Sequence, residues 1–333
     1  MLHVNTNIIL QAVPAFIILA IIETVVLTLE HRNPETKKNI MASLGLGLVF
    51  IFTSFFSKGF LLFIYSWLYN FRVFHIEQFT WWIWALCFLG EDFSYYWYHR
   101  ACHSIRFLWA THLVHHSSET YNFFASFRQS WFGNVNGSFI FWVWMPLAGF
   151  TPEMILYAKS ISTIYQFFIH TETVGKLPRW IEFIFNTPSH HRVHHSSDAE
   201  YLDKNHGGSL IIFDRIFGTY REETFAPHYG LTKKMNSYNP FYITFSEWIN
   251  IAKDLRTIKS FKNLFFCFFG SPAWRPENAI ETKEVNIKVQ QEQPGLYLRF
   301  NSPEQIARGN SVEYTRASIQ PRSPIADRAR FER

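Results

Sequence analysis

Histidine dominates the middle of this chain. Residues 92–116 read DFSYYWYHRACHSIRFLWATHLVHH and residues 189–195 read SHHRVHH. His99 and His103 stand four apart, a spacing that puts both side chains on one helical face about 6 Å apart, able to point at the same ion. His112, His115 and His116 follow at i, i+3 and i+4, and His191, His194 and His195 repeat that HxxHH pattern. Each triplet is expected to gather its three imidazoles on one helical face. Any single histidine is more often ordinary polar chemistry, but eight of the fifteen at helical spacing argue for metal.

Imidazole suits zinc, copper, nickel or iron, so ligand type leaves the metal open. Ligand number narrows it, because a closed zinc site takes four ligands and a catalytic one three, whereas eight suffice for two ions with open positions. Arg100 and Ala101 follow His99, so HExxH is absent, and a hydrolytic zinc enzyme is disfavoured. Neutral imidazoles leave the charge of two ions uncompensated, and bridging hydroxide or nearby carboxylates should restore the balance. Asp92 precedes His99 by seven residues and therefore shares its helical face, which makes it the candidate catalytic residue, expected to accept a ligand N–H and fix that ring's tautomer. A helix-capping or solvated acid is the alternative. Glu91, Glu119, Asp198 and Asp203 also flank the motifs with weaker standing.

The elements that must position these groups are unlike those of a soluble domain. Of 333 residues 19% are aromatic, with 36 Phe and 12 Trp, so water is not expected to be the only solvent. A formal charge of +5 would suit nucleic acid in a polar chain, but here the basic residues interrupt long apolar runs. An anionic membrane surface is the expected partner, and nucleic acid is not. Cys87, Cys102 and Cys267 are widely spaced and odd in number, which gives no disulfide framework and fits a reducing compartment. A signal peptide is not expected, since the first apolar run is too long and lacks a charged n-region.

The pattern predicts an all-α polytopic membrane protein whose transmembrane helices carry a cytoplasmic, histidine-rich helical cap, with a small C-terminal β-hairpin. Residues 8–29 are long enough to cross a bilayer, with Glu23 their one charge. The loop 31–38 carries Arg32, Lys37 and Lys38 and should face the cytoplasm. Residues 40–71 lead outward, and residues 79–98 lead back, delivering His99 to the inner side. Residues 137–169, broken by Pro146, Gly149 and Pro152, should enter the membrane and return, ending at His170. Thr187 and Pro188 offer a cap and first position for a helix bearing the last motif. Residues 201–220 suggest a Gly-bearing turn and an apolar segment under the site, and residues 231–270 an amphipathic helical region that packs. A hairpin is expected about Pro294 and Gly295, and a flexible tail over 301–333. Four segments result: N-terminal helices (1–84), a catalytic domain (85–225), an amphipathic region (226–280) and a polar tail (281–333).

With the motifs placed, HRACH, HLVHH and HRVHH in this order resemble the fatty acid hydroxylase and sterol desaturase superfamily of membrane di-iron enzymes over roughly residues 85–225. Within it, YYWYHR, HHSSETYN, RQS, HTE, NTPSHHRVHH, DKN and IFGTY are most similar to the alkylglycerol monooxygenase branch. The resemblance implies two Fe ions, O2 as co-substrate, oxidation of a membrane lipid C–H bond, and metal ligands at His99, His103, His112, His115, His116, His191, His194 and His195. It implies His170 as an additional ligand, leaves His190 a supporting role and leaves His206 outside the set. No HPGG haem motif is present, so a separate electron donor is needed, and the branch implies tetrahydrobiopterin. For an ether lipid, hydroxylation beside the oxygen gives a hemiacetal that collapses to aldehyde and alcohol. The aromatic stretch 121–131 is read as packing, or alternatively as an acyl tunnel with Arg128 or Gln129 near the polar head. A desaturase or sterol hydroxylase would share the metals, and a metal transporter would instead need ligands along a membrane path. Oligomeric state is not encoded in any of these signals.

Overall fold

The computed structural model describes residues 8–30, 37–76, 80–133 and 135–276 and two short strands beyond them. Contacts divide the chain into two units, Met1–Pro276 and Glu277–Arg333. In the second, Leu296–Tyr297 (β1) pairs antiparallel with Thr315–Arg316 (β2). The partner of β1 thus lies where a flexible tail was expected; the other arm of the expected hairpin and the rest of that tail lie outside the described residues.

The first unit is helical. Ile8–Leu29 (α1) and Lys37–Tyr69 (α2) are the two helices among the described residues long and apolar enough to cross a membrane. Their outer faces leave Ile18, Ile22, Phe52, Phe55 and Phe63 exposed, which in water would be costly and in lipid is not. Trp81–Ser104 (α3), expected as a third crossing over 79–98, does not share that composition. It is the central helix, and its middle buries Glu91 and Asp92 completely. Leu61 and Tyr65 near the end of α2 share a core with Ile83 and Cys87 near the start of α3, so the two run antiparallel. At the other end Ala42 and Leu46 of α2 pack with Val114 and Trp131. His99 and His103 are thereby carried back to the end of the bundle from which α2 starts.

Ile105 adopts an extended conformation between α3 and Arg106–His116 (α4), so the first two motifs sit on separate helices joined by a sharp corner. Phe123–Ser126 (α5), a 3-10 turn at Ser138–Trp142 and Trp144–Ala148 (α6) lead to Pro152–Ile169 (α7). The expected break is real. Gly149 has φ +112°, where a Cβ would strike the Phe74 carbonyl, and Thr151 caps α7 by accepting from the Met154 N–H. Arg179–Ile184 (α8) precedes Pro188–His194 (α9), which begins as expected: Thr187 accepts the His190 N–H and Pro188 takes the first position. Ile212–Phe217 (α10), Pro240–Leu255 (α11) and Phe261–Phe269 (α12) complete the unit.

Candidate metal centre

Nine histidines from α3, α4, α9 and the end of α7 converge in two groups. His99, His103, His112, His116 and His194 form the first, and His115, His170, His191 and His195 the second, with the donor atoms of each group within 4.8 Å of one another. All nine are sequence candidates, including His170. Their division corrects one expectation, because neither HxxHH motif puts three rings toward one place. Each i, i+4 pair stays together, and the residue one step away turns about 100° into the other group. His112 and His116 join the first group and His115 the second, while His191 and His195 join the second and His194 the first.

The rings are aimed by main-chain carbonyls. The Nδ1–H groups of His99, His194 and His170 donate to the carbonyls of His206, Lys204 and Gln166 at 2.8, 2.9 and 2.6 Å, and His115 Nδ1 lies 3.3 Å from the Arg128 carbonyl. A proton fixed on Nδ1 leaves Nε2 as a bare lone pair. The Nε2 atoms face one another: Nε2 to Nε2 is 2.9 Å for His99–His112 and 3.1 Å for both His112–His116 and His116–His194. In the second group the separations are 3.1, 3.1 and 3.2 Å along His115, His170, His191 and His195. Ligands at 2.0–2.1 Å from one ion stand about 3.0 Å apart at right angles and about 3.4 Å apart at tetrahedral angles. The observed spacing fits cis positions of a higher-coordinate ion, and between His115 and His170, whose Nδ1 atoms both face carbonyls, the facing lone pairs would repel without a cation.

Burial, and next the repulsion between neighbouring imidazolium forms, holds His99, His112, His116, His170, His191, His194 and His195 well below the usual histidine pKa. For His115 burial lowers it to about 4, partly offset by the Arg128 carbonyl. Neutral rings are the form that binds metal.

Asp92 is not where the helical-face argument put it. Its fully buried carboxylate accepts the backbone N–H groups of Ser209 at 2.6 Å and Leu210 at 3.0 Å, and no ligand ring. It supports the segment 203–210, whose carbonyls aim His99 and His194. Asp214 accepts the N–H groups of His206 and Gly207 at 2.7 Å each, and Asn186 donates to the Gly207 carbonyl at 2.6 Å. Asn205 Nδ2 reaches the His190 carbonyl at 3.0 Å. Asp203 and Asn205 both adopt φ +56°, a conformation these two residue types tolerate. Sequence reasoning missed Asp214, Asn186 and Asn205; the one signal for Asn205 and Asp214 was their place beside a Gly-bearing turn.

Other candidates fall around the groups. His206 is in neither, as expected, although its ring centroid lies 5.1 Å from that of His103. His190 points away, with Nε2 2.8 Å from Glu182 and its Nδ1 accepting the Thr187 N–H, so it serves the helix start and not a ligand. Asp203 meets His103 Nδ1 at 3.2 Å, Glu119 approaches Lys234 at 3.7 Å, and Asp198 pairs with His228. The fully buried Glu91 also touches no histidine among the described contacts. Arg128 is buried, donating to Asn39, Ser43 and Ser117, and is therefore a brace between α2 and the site, not a headgroup contact. Glu23, the lone charge of α1, accepts from the Phe123 N–H at 2.6 Å and from the Thr171 hydroxyl, pinning α1 beside His170. Arg192 grips both Glu223 oxygens at 2.7 and 2.8 Å and the carbonyls of Thr171 and Val174. A cavity of 420 Å³ opens onto the first group, with His103, His116 and His194 at its inner end.

Comparison with known proteins agrees with this geometry. Residues 84–219 match the fatty acid hydroxylase family model. The human alkylglycerol monooxygenase is 39% identical over 271 residues, which cover 80% of this chain and 60% of that protein. The Xenopus tropicalis protein of that name is 38% identical over 64% of this chain and 47% of its own length. The Danio rerio protein is 36% identical over 80% and 59%. The chain thus spans about half to three-fifths of these relatives. No solved structure matches it. Over residues 84–219 the chain is thus similar to the fatty acid hydroxylase family.

Proposed function

We propose that the chain is the catalytic part of a membrane di-iron monooxygenase that hydroxylates an alkylglycerol ether lipid. The observation that carries this reading is the division of nine imidazoles, most of them buried, into two groups with cis-ligand spacing. His99, His103, His112, His116 and His194 would hold one iron, and His115, His170, His191 and His195 the other. Five and four ligands leave open positions on six-coordinate ions. When bound, the irons supply O2 reduction and lipid oxidation.

The protein's own residues orient the ligands and admit substrate. The carbonyls of His206, Lys204, Gln166 and Arg128 hold the rings, and the cavity beside His103 and His116 offers Asn250, Lys233 and Arg275 to a polar head. Insertion of one oxygen atom at the ether carbon consumes O2, two electrons and two protons and releases water; the hemiacetal then splits to a fatty aldehyde and an alcohol. A separate reductant, tetrahydrobiopterin by the likeness to the alkylglycerol monooxygenases, supplies the electrons. Asp92 acts as a positioning residue for the 203–210 segment.

For topology, α1 and α2 cross the bilayer and α3 returns within the bundle, placing the histidines at the Lys37–Lys38 end, which basic charge assigns to the cytoplasm. The test is purified chain in detergent, given an O-alkylglycerol, reduced pterin and labelled O2. Fatty aldehyde with one labelled atom trapped before exchange is expected. An unsaturated product without label would select a desaturase, and a hydroxylated sterol with ether lipid untouched would remove this substrate.

A further inference from the structure

The helices α11 and α12 lie beyond the region matched by the family model and carry a surface that the metal centre does not use. One face of α11 is fixed to the core. Ile243 and Ile251 are buried, and the fully buried Arg106 at the start of α4 bonds Glu247 and Asp254 at 2.7 Å each. The Gly270 carbonyl, just after α12, accepts the Arg106 N–H at 2.9 Å, and Cys267 of α12 itself is buried. The pair is therefore a rigid platform.

Its outer side is aromatic. On α12 Phe261 is 83% exposed, Phe265 51% and Phe269 55%, with Leu264 and Phe266 also in the open. Spacings of three and four place Phe261, Leu264, Phe265 and Phe269 on one stripe. On α11 Phe241, Tyr242 and Ile249 are exposed as well. Basic residues border this surface: Lys253, Arg256, Lys259 and Lys262 are all exposed within ten residues. None of the four enters an ion pair among the described residues, and the one acid between them, Asp254, is turned inward to Arg106. An apolar stripe flanked by unneutralised cations is the pattern of a helix lying in the plane of an anionic bilayer. A protein partner of the same size would leave the cations without counter-charge unless it were strongly acidic.

We propose that α11 and α12 form an in-plane membrane anchor, with Phe261, Leu264, Phe265 and Phe269 at the acyl boundary and Lys253, Arg256, Lys259 and Lys262 among anionic headgroups. The sequence expectation of a purely packing role for this region then holds for one face only. The anchor also sets where the cavity opens. Its outer wall is built from Tyr242, Ser246 and Asn250 of α11 and from Ser271, Pro272 and Ala273 just after α12. A lipid leaving the surface beside α12 would enter there and meet His103 and His116; this last consequence alone rests on the proposed function.

The test reads depth, not turnover, so it stands apart from the assignment of activity. Single cysteines replacing Phe265 or Phe269, and Glu200 as an aqueous reference, are spin-labelled in the full chain reconstituted into phosphatidylcholine bilayers with and without phosphatidylserine. The native cysteines are buried. Labels at 265 and 269 should be relaxed by O2 and shielded from a water-soluble nickel chelate, the reverse of the label at 200. Equal exposure of all three to nickel would overturn the anchor. Shielding accompanied by dipolar broadening that vanishes on dilution with unlabelled chain would show a second copy on this face and overturn it as well. The double variant K259E/K262E should move the 265 label toward the aqueous value in phosphatidylserine-containing bilayers and leave it unchanged in phosphatidylcholine. No movement in either would refute the anionic part of the proposal.

Discussion

The Nδ1–H of His99 is held at 2.8 Å by the main-chain carbonyl of His206, so the ring at the centre of the first group is oriented by a residue whose own side chain is not in that group. A carbonyl survives any substitution at position 206. We therefore expect His206→Ala to retain its metal and most of its activity, whereas His99→Ala or His112→Ala should lose the ion of the first group and all activity. Elemental analysis with turnover checks this, and equal metal loss at 206 and 99 would make His206 a ligand.

The two groups should be separable by mutation. The purified chain is expected to carry about two irons if each group binds one ion. His191→Ala, which removes an Nε2 facing only His170 and His195 of the second group, should leave about one, with the His99 group still loaded. Loss of both ions together would show that the groups are not independent sites.

Removing Asp92 should weaken the centre from a distance. In Asp92→Ala the N–H groups of Ser209 and Leu210 lose their acceptor, at a cost of about 2–5 kcal/mol. The segment that aims His99 and His194 should loosen, lowering metal retention before abolishing the fold. Asp92→Asn keeps one acceptor oxygen and should restore part of both. Thermal melts alongside metal content decide it, and wild-type metal retention in the alanine variant would count against a positioning role.

Metal-free chain should lose stability as pH falls from about 6.5, the ordinary histidine value, toward about 4, the value for His115. In that window the unfolded chain binds protons that the folded one refuses, so stability rises with pH and is complete above the unfolded pKa. Denaturant midpoints between pH 4 and 7 test it. A midpoint flat across this range would mean that the histidines are not held neutral by burial.

For topology, exposed Lys38 and Glu200 should lie on one side of the membrane. Single cysteines there should both resist an impermeant label in intact cells and both react after permeabilisation. Opposite behaviour would mean that α3 does not return to the α2 start. Asn39 is unsuited to this test, because its side chain is buried against Arg128.

Nearly all the ligand chemistry is local and could be read from spacing. A helix repeats every 3.6 residues, so His99 with His103, His112 with His116 and His191 with His195 had to share faces, and Thr187–Pro188 had to start a helix. The exposed apolar surfaces of α1 and α2 follow from composition in the same way. Spacing could not say that His115 and His194 leave their motifs for opposite groups, since that depends on how α4 and α9 cross, which no single helix encodes. Nor could it find the partners of Asp92. Main-chain N–H and carbonyl groups are common to every residue type, so a carboxylate that serves them leaves no pattern to match, and only the folding of residues 203–210 across α3 brings Ser209, Leu210 and His206 to their places.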